Sequence, residues 1–409
     1  MRIVLAAAGS RGDVLPFAAL ARGLAERGQE VTLLTHNVLL PTLDLPAGVS
    51  GVGAPSDPGT LLAGPAAQAL RRGSPRALNR TRHLFADFVH AFAAPARIAV
   101  TGADVVIASS FAVAAVDAAL TAGVPVIRAH QWPEQPGLDG PMPLLPYAWR
   151  LPAPARRLAR GALRVVEPYL GGLDGWWERG RLQLHARHPV GLTTTTLGTL
   201  HAVSPSVVPD RAPGICVTGW WVGPDGGLSE AAAGLLMQPG PWVFVGFGSM
   251  QQSDPEQLLD QIARACAALG VRAVVQLGAA GDPRRGPATD ATAVPIGPEP
   301  HSALFPLMSA VVHHGGSGTT GAAVRAGTPS VVVPHFADQY YWGHRLAALG
   351  VAPSAIPRRR LTAAALTRRL EEALRPGMQR RAVDLGARVR AEDGVATAVR
   401  YIERRVADS

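Results

Sequence analysis

Apolar and polar positions alternate along this chain in two rhythms. Residues 2–9, "RIVLAAAG", form an apolar run that predicts a strand buried on both faces. "LPFAALARGLAERG", residues 15–28, has apolar positions at helical spacing and Gly28 where a helix stops. "EVTLLTH", residues 30–36, reads as a second strand. A strand–helix–strand order implies a parallel sheet. The rhythm continues with a helical stretch near 76–100, a strand in "DVVIASS", a helix in "FAVAAVDAALTAG" and a strand in "PVIRAH". "LHAVSPSVVP" and "ICVTGWW" look like the last strands of this half.

Between the strands of this half, residues 131–180 break the pattern. They are rich in proline and carry Trp132, Tyr147, Trp149, Tyr169, Trp176 and Trp177. Two readings stay open: irregular loops with packed helices, or an apolar wall for a bulky ligand. Residues 221–240 are rich in Gly and Pro and read as a linker. Then the rhythm restarts. "WVFVGFGSM", "RAVVQLG", "SAVVHHG" and "SVVVPH" are strands, separated by helices "PEQLLDQIARACAALG" and "GTTGAAVRAG". A helix "QYYWGHRLAALG" and arginine-rich helices around 361–405 close the series. The fold class is therefore α/β, with two successive Rossmann-like halves: 1–220 and 241–385, with a terminal helix in 386–409 returning to the first half.

Composition narrows the partners. The chain has 409 residues, enough for two domains. Its net charge is +9, and all 39 basic residues are arginine. These are scattered apart from short runs such as Arg358–Arg360, which argues against a nucleic-acid surface with interleaved aromatics. Loose attraction to an anionic membrane surface is compatible with this charge. The two cysteines, Cys216 and Cys266, suggest no disulfide framework and fit a reducing compartment. The N-terminal apolar stretch is short and runs into Arg11 and Asp13, a poor secretory signal, so a cytoplasmic protein is expected. No window of about 18 uncharged apolar residues predicts a membrane span. Monomer and homodimer stay equally open.

Two stretches carry candidate chemistry. The first is "AAAGSRGDVLPF", residues 7–18. Its Arg-Gly-Asp tripeptide matches an adhesion motif, its small residues a nucleotide loop, and Asp13 is a carboxylate at a strand end. The second is "VVHHGGSGTTGAAVRAGTPSVVVPHFADQ", residues 311–339. Gly315, Gly316 and Gly318 let backbone N–H groups approach an anion, Ser317, Thr319 and Thr320 add hydroxyls, and a helix begins there. Such a loop suits a diphosphate. It lacks the Gly-Lys-Ser/Thr ending of a Walker loop and does not follow a first strand, where the dinucleotide fingerprint belongs. His313 and His314 are adjacent, so at most one faces a ligand. Asp338 suits a helix N-cap as well as a ligand contact. No third ligand supports a zinc pair at these histidines, and no Asp-x-Asp triplet occurs, so no metal is expected.

As a whole, "HHGGSGTT…RAGTPSVVVPHFADQYYWGHR" resembles the donor-binding signature of the UDP-glycosyltransferase superfamily, glycosyltransferase family one. "VFVGFGSM" and "HSALFPLMSAVVHHGG" are similar to the sterol glucosyltransferases and actinobacterial natural-product glycosyltransferases within it. The resemblance covers both halves and is strongest from about 240 to 352. It implies a GT-B fold, with two Rossmann-like domains facing a cleft, an N-terminal half binding the acceptor and a C-terminal half binding the nucleotide sugar. The implied activity is inverting, metal-independent transfer of a sugar from a UDP- or dTDP-linked donor. The implied acceptor is a hydroxyl of a lipophilic small molecule, such as a sterol or a natural-product aglycone. The nucleotide sugar is a co-substrate, and no cofactor is expected. A sugar-nucleotide epimerase and a non-catalytic nucleotide-sugar-binding protein share this fold and stay as alternatives.

The resemblance also implies roles. His314, Gly316, Ser317, Gly318, Thr319, Gly248 and Ser249 meet the donor diphosphate, and Asp338 and Gln339 hold its sugar. Ser10 and Arg11 lie near the donor, Arg11 being equally readable as a surface residue or an Asp13 partner. His130, Trp132, Met142 and Trp149 line the acceptor site. Asp13 stands where many members place a histidine base, within a Gly-Ser-Arg-Gly-Asp pattern that members acting on sterols and glycopeptides share. The acidic partner of that histidine would fall at "IASS", where only Ser109 and Ser110 stand. An aspartate is already an anion and needs no such partner. "PIGPEPHSALF" lacks the tryptophan with which plant members stack on uracil, so uracil and thymine are both open.

Overall fold

The computed structural model describes residues 1–63, 87–133, 145, 147–159, 195–208, 213–248, 254–276 and 292–409. The chain divides into two compact units. One comprises Met1–Met142, Tyr147–Gly223 and Glu392–Ser409; the other comprises Pro143–Pro146 and Pro224–Ala391.

The first unit is built on a seven-stranded parallel sheet. Its strands are β1 (Arg2–Ala6), β2 (Glu30–His36), β3 (Val49–Ala54), β4 (Val105–Ala108), β5 (Val126–His130), β6 (Gly198–His201) and β7 (Ile215–Val217). They lie in the order β3-β2-β1-β4-β5-β6-β7. Successive side chains of β1 enter opposite cores, as strand geometry requires. Val4 and Ala6 join Phe88, Phe92, Val106 and Val116 on one face. Ile3 and Leu5 join Phe17, Leu20, Leu24, Trp221 and Ile402 on the other. Helices α1 (Arg11–Glu26), α2 (Ala93–Val100) and α3 (Val113–Thr121) cover the faces.

The second unit repeats this plan with five parallel strands in the order β10-β9-β8-β11-β12. These are β8 (Trp242–Gly246), β9 (Arg272–Gln276), β10 (Ala293–Pro295), β11 (Ala310–His313) and β12 (Ser330–Val332). Val243 and Val245 pack on Ile262, Leu366 and Leu370, while Trp242 and Phe244 pack on Phe305, Val311 and Ala323. The helices are α4 (Glu230–Leu236), α5 (Pro255–Ala267), α6 (Ser317–Ala326), α7 (Gln339–Ala348), α8 (Ala363–Ala373) and α9 (Pro376–Arg390). The last helix, α10 (Gly394–Ala407), belongs to the first unit, where Ala398, Val399 and Ile402 join the core beneath α1.

In both sheets the strand order reverses beside the first strand. Ligands of open α/β sheets bind outside the carboxyl ends of the strands at that switch point. The switch points here lie between β1 and β4, and between β8 and β11.

Several expectations need correction. Of the expected linker 221–240, residues 230–236 form α4, capped by Ser229, and Leu228, Leu235 and Leu236 pack against the core of the second unit. The unit boundaries fall after Gly223 and Ala391 rather than after 220 and 385, because Gly386 still packs on Gly327, whereas Gly394 packs on Gly219 and Trp220. α1 begins at Arg11, four residues before the helical stretch read from 15, so Pro16 lies inside it. There it removes the N–H that would bond to the Gly12 carbonyl. Of the helical stretch near 76–100, residues 76–86 lie outside the described residues, and α2 covers Ala93–Val100.

Candidate functional site

The first switch point is organised around Asp13. Ser10 is the N-cap of α1 and Asp13 its N3 residue. Asp13 Oδ2 accepts from the Ser10 N–H and from the Ser10 hydroxyl, both at 2.7 Å. This is the return half of a capping box. Burial pushes the Asp13 carboxyl above its ordinary value, and the two Ser10 bonds pull against that rise. Both bonds fall on Oδ2, and Oδ1 has no hydrogen-bond partner among the described residues.

Three neighbouring strands hold this loop. Gly9 N–H donates to His36 Nε2 at 2.9 Å, from the end of β2. Ala8 N–H donates to Ser109 Oγ at 3.0 Å, just past β4. Gln131 Nε2, just past β5, donates to the Asp13 carbonyl. Gly9 has φ +141°, and a β-carbon there would lie 2.5 Å from Asp13 Oδ2. Only glycine fits both the backbone angle and the carboxylate above it. None of the three holders stood out as functional in the sequence. They lie 27, 101 and 118 positions from their partners, and only the sheet order brings them together.

The second switch point has the same topology and a different filling. β11 ends at His313, and Gly316, which has no side chain of its own, is the N-cap of α6. A helix start of this kind favours an anion. Gly316, Gly318 and Gly321 have the Gly-x-Gly-x-x-Gly spacing, here after the fourth strand of the order rather than the first. His313 is fully buried, and its Nδ1 accepts from Gly315 N–H at 3.1 Å. His314 is half-buried beside the loop, its ring lying over Gly316 and against the exposed Gly248. A β-carbon on Gly316 would collide with His314 Nε2. Burial, reinforced by His301, pushes His314 down to about 4, so its ring is neutral at pH 7. Burial, with His314 and His301 adding to it, lowers His313 to about 3. Ser317 and Thr319 are half-buried on the first turn of α6, and Gly318 is exposed.

The following loop approaches α7. Asp338 occupies its N-cap position, but its side chain does not cap the helix. Instead Asp338 Oδ2 accepts from Trp342 Nε1 at 2.9 Å. Gln339 is buried, and its Oε1 accepts from the N–H groups of His335 at 2.8 Å and Phe336 at 3.2 Å. The Gln339 oxygen thus shapes its own loop instead of pointing outward. Ala337, between these residues, has φ +53°, a strained angle for a residue with a β-carbon.

The remaining expected site residues scatter. Ser10 directs both its N–H and its hydroxyl hydrogen to Asp13. Arg11 is exposed and forms no ion pair with Asp13, because Ser10 occupies the near oxygen. His130 is only 1% exposed; its Nδ1 bonds to Ser110 Oγ at 2.9 Å and its ring packs on His201, so it is a core residue and not a surface lining. Trp132 and Trp149 are half-buried, and Trp149 packs edge-on against Tyr147. Met142, Ser249, Tyr169, Trp176 and Trp177 lie outside the described residues. Among the described residues, no helix is long and apolar enough to cross a membrane.

Known proteins share this arrangement. The "Glycosyltransferase family 28 N-terminal domain" profile matches residues 3–131, and the "Erythromycin biosynthesis protein CIII-like, C-terminal domain" profile matches residues 288–396. Each match contains one of the two switch-point loops. The chain is 31% identical to a sterol 3-beta-glucosyltransferase of Neosartorya fischeri over 99% of its own length, but spans only 29% of that protein. It is 29% identical to a sterol 3-beta-glucosyltransferase of Arabidopsis thaliana, with 99% of this chain and 68% of that protein aligned. A solved glycotransferase of kitacinnamycin superposes with a TM-score of 0.72 at 22% identity, covering 99% of this chain and 98% of that one. The repeated parallel sheets are those of a GT-B fold, and the chain is similar along its length to sterol 3-beta-glucosyltransferases.

Proposed function

We propose that this chain is an inverting glycosyltransferase. It moves a sugar from a UDP- or dTDP-linked donor to a hydroxyl of a lipophilic small molecule. One observation carries this reading: two switch points of equal topology hold different groups, a bonded carboxylate in one unit and a glycine-rich helix start in the other. Relatives named as sterol 3-beta-glucosyltransferases support the lipophilic acceptor.

The chemistry follows from each group. The acceptor hydroxyl bonds to Asp13 Oδ1 while Ser10 holds Oδ2. As the hydroxyl oxygen attacks the anomeric carbon from the face opposite the nucleotide, its proton passes to Asp13. The bond from the anomeric carbon to the diphosphate oxygen breaks, and the sugar inverts. Partial desolvation makes Asp13 a stronger base than an exposed aspartate, which helps a group otherwise too acidic for the task. The departing diphosphate gains negative charge. The first N–H groups of α6, the Thr319 hydroxyl and His314 stabilise it, as preorganised donors stabilise an oxyanion.

The test is turnover with UDP-glucose or dTDP-glucose against a panel of sterol and polyketide hydroxyls, read by mass spectrometry. A new glycoside with inverted configuration is the expected product. A donor whose sugar changes configuration without any acceptor would identify an epimerase instead, and a donor that binds but never reacts would identify a binding protein.

A further inference from the structure

We propose that His36 is a positioning residue for the Asp13 carboxylate. It grips Gly9 through Nε2 and so holds the loop in the one conformation that seats Asp13 over the Gly9 α-carbon. The inference rests on the reading of Asp13 as the base.

The geometry runs as a chain of contacts from β3 to the carboxylate. Gly9 N–H donates to His36 Nε2, so that nitrogen carries no proton. The proton therefore sits on Nδ1, which donates to Ser56 Oγ at 2.8 Å, just past β3. The ring is fully buried and wedged between Phe88 and Phe92, each with its centroid 5.0 Å away. Both ring nitrogens are thus engaged inside the unit, and His36 acts only through Gly9. Gly9 in turn adopts φ +141°, and Ser10 follows with its N–H and hydroxyl on Asp13 Oδ2. Without an acceptor beside it, the buried Gly9 N–H would be an orphan donor, and the loop would gain by turning it toward water. Asp13 would then leave its seat. A neutral imidazole suits this place because it supplies a lone pair inside an aromatic wall without adding a second negative charge beside Asp13.

The test compares His36→Leu with His36→Gln in the full chain. The glutamine oxygen sits close to where Nε2 does and can still accept from Gly9; leucine cannot. Three readouts are taken: steady-state kinetics with the donor and acceptor that the wild type uses, UDP and dTDP affinity by calorimetry, and amide exchange of the peptide spanning residues 8–14. The expected result for H36L is a fall in kcat of about 10²-fold, the scale on which a displaced reacting group acts. Nucleotide affinity stays unchanged and amide exchange in the loop rises. H36Q recovers most of the kcat and the protection. Wild-type kcat and exchange in H36L would overturn the proposal. So would a kcat loss that H36Q does not recover, since that would reflect disturbed packing around Phe88 and Phe92. An Asp13→Asn control separates the two readings: normal turnover there refutes Asp13 as base, while the exchange measurement still decides whether His36 holds the loop.

Discussion

The two switch points of this protein are the same place in two copies of one topology, yet only the first carries a charge of its own on its helix start. In the first unit, the third residue of α1 is a carboxylate, Asp13, folded back onto its own N-cap. In the second, the third residue after the N-cap of α6 is Thr319, and the N-cap itself is a glycine with no side chain. Every helix start is an attractive place for negative charge. A protein can supply that charge itself or leave the place for a ligand. This chain does each once. On the proposed function, the unit that carries its own anion takes a proton, and the unit whose helix starts at a glycine holds a diphosphate.

That contrast can be broken by moving the charge. Asp13→Asn keeps the shape and removes the base, and kcat should fall by about 10²–10⁴ with donor affinity intact. Full activity would remove Asp13 from the mechanism. Thr319→Asp makes the second helix resemble the first. It should reduce nucleotide affinity by about 10-fold or more, while a carboxylate in the first turn stabilises the helix by roughly 0.3–1 kcal/mol. Unchanged UDP and dTDP binding by calorimetry would show that the helix start is not the diphosphate site.

A smaller effect is expected from Gly9→Ala. The φ of +141° and the 2.5 Å approach to Asp13 both oppose a β-carbon, and a residue forced into such backbone should lower stability by about 1–3 kcal/mol in urea unfolding. Exchange in the second unit should not change.

Acid sharpens the comparison next. Burial holds His36, His301 and His314 at about 4 and His313 at about 3. Unfolded histidines bind protons near 6.5, so between these values the unfolded chain holds more protons than the folded one. The stability these groups contribute is whole above pH 6.5 and is lost as pH falls toward 4. Three of them are in the second unit. Asp13, raised by burial, has the opposite sign: its contribution is lost as pH rises through its folded value, which partly offsets His36 in the first unit. On lowering pH from 7 to 4.5, amide exchange should rise more in the second unit than in the first. An equal response would mean that the buried histidines do not set acid stability. The smallest change expected is Ala337→Gly, which relieves the φ of +53° before Asp338 and should stabilise the second unit by about 1 kcal/mol.

Much of this organisation was legible because parallel strands buried on both faces read as unbroken apolar runs. "RIVLAAAG", "EVTLLTH" and "WVFVGFGSM" all became strands. Two edge strands escaped. β3, "VSGVGA", has two glycines and an exposed outer side, and β10 is only three residues long. Neither carries enough apolar periodicity to register. The start of α1 was misplaced because the helical periodicity registers only from Leu15, while the capping pair Ser10 and Asp13 begins the helix four residues earlier. His130, which the resemblance placed in the acceptor lining, is buried and bonds to Ser110 and packs on His201.

The sequence by itself determined where the chemistry-bearing loops lie, because glycine spacing, helix starts and apolar runs are local properties. It placed Asp13 behind the first strand and the glycine turn behind "SAVVHH". Only the tertiary structure decided which atoms those loops present. His36, Ser109 and Gln131 reach the Asp13 loop across 27 to 118 residues, and Gln339 turns its oxygen onto its own loop and not outward. A hydrogen bond depends on distances of a few tenths of an ångström between groups that strand order alone brings together. No local pattern encodes that order, so the fold had to be seen before the carboxylate could be placed.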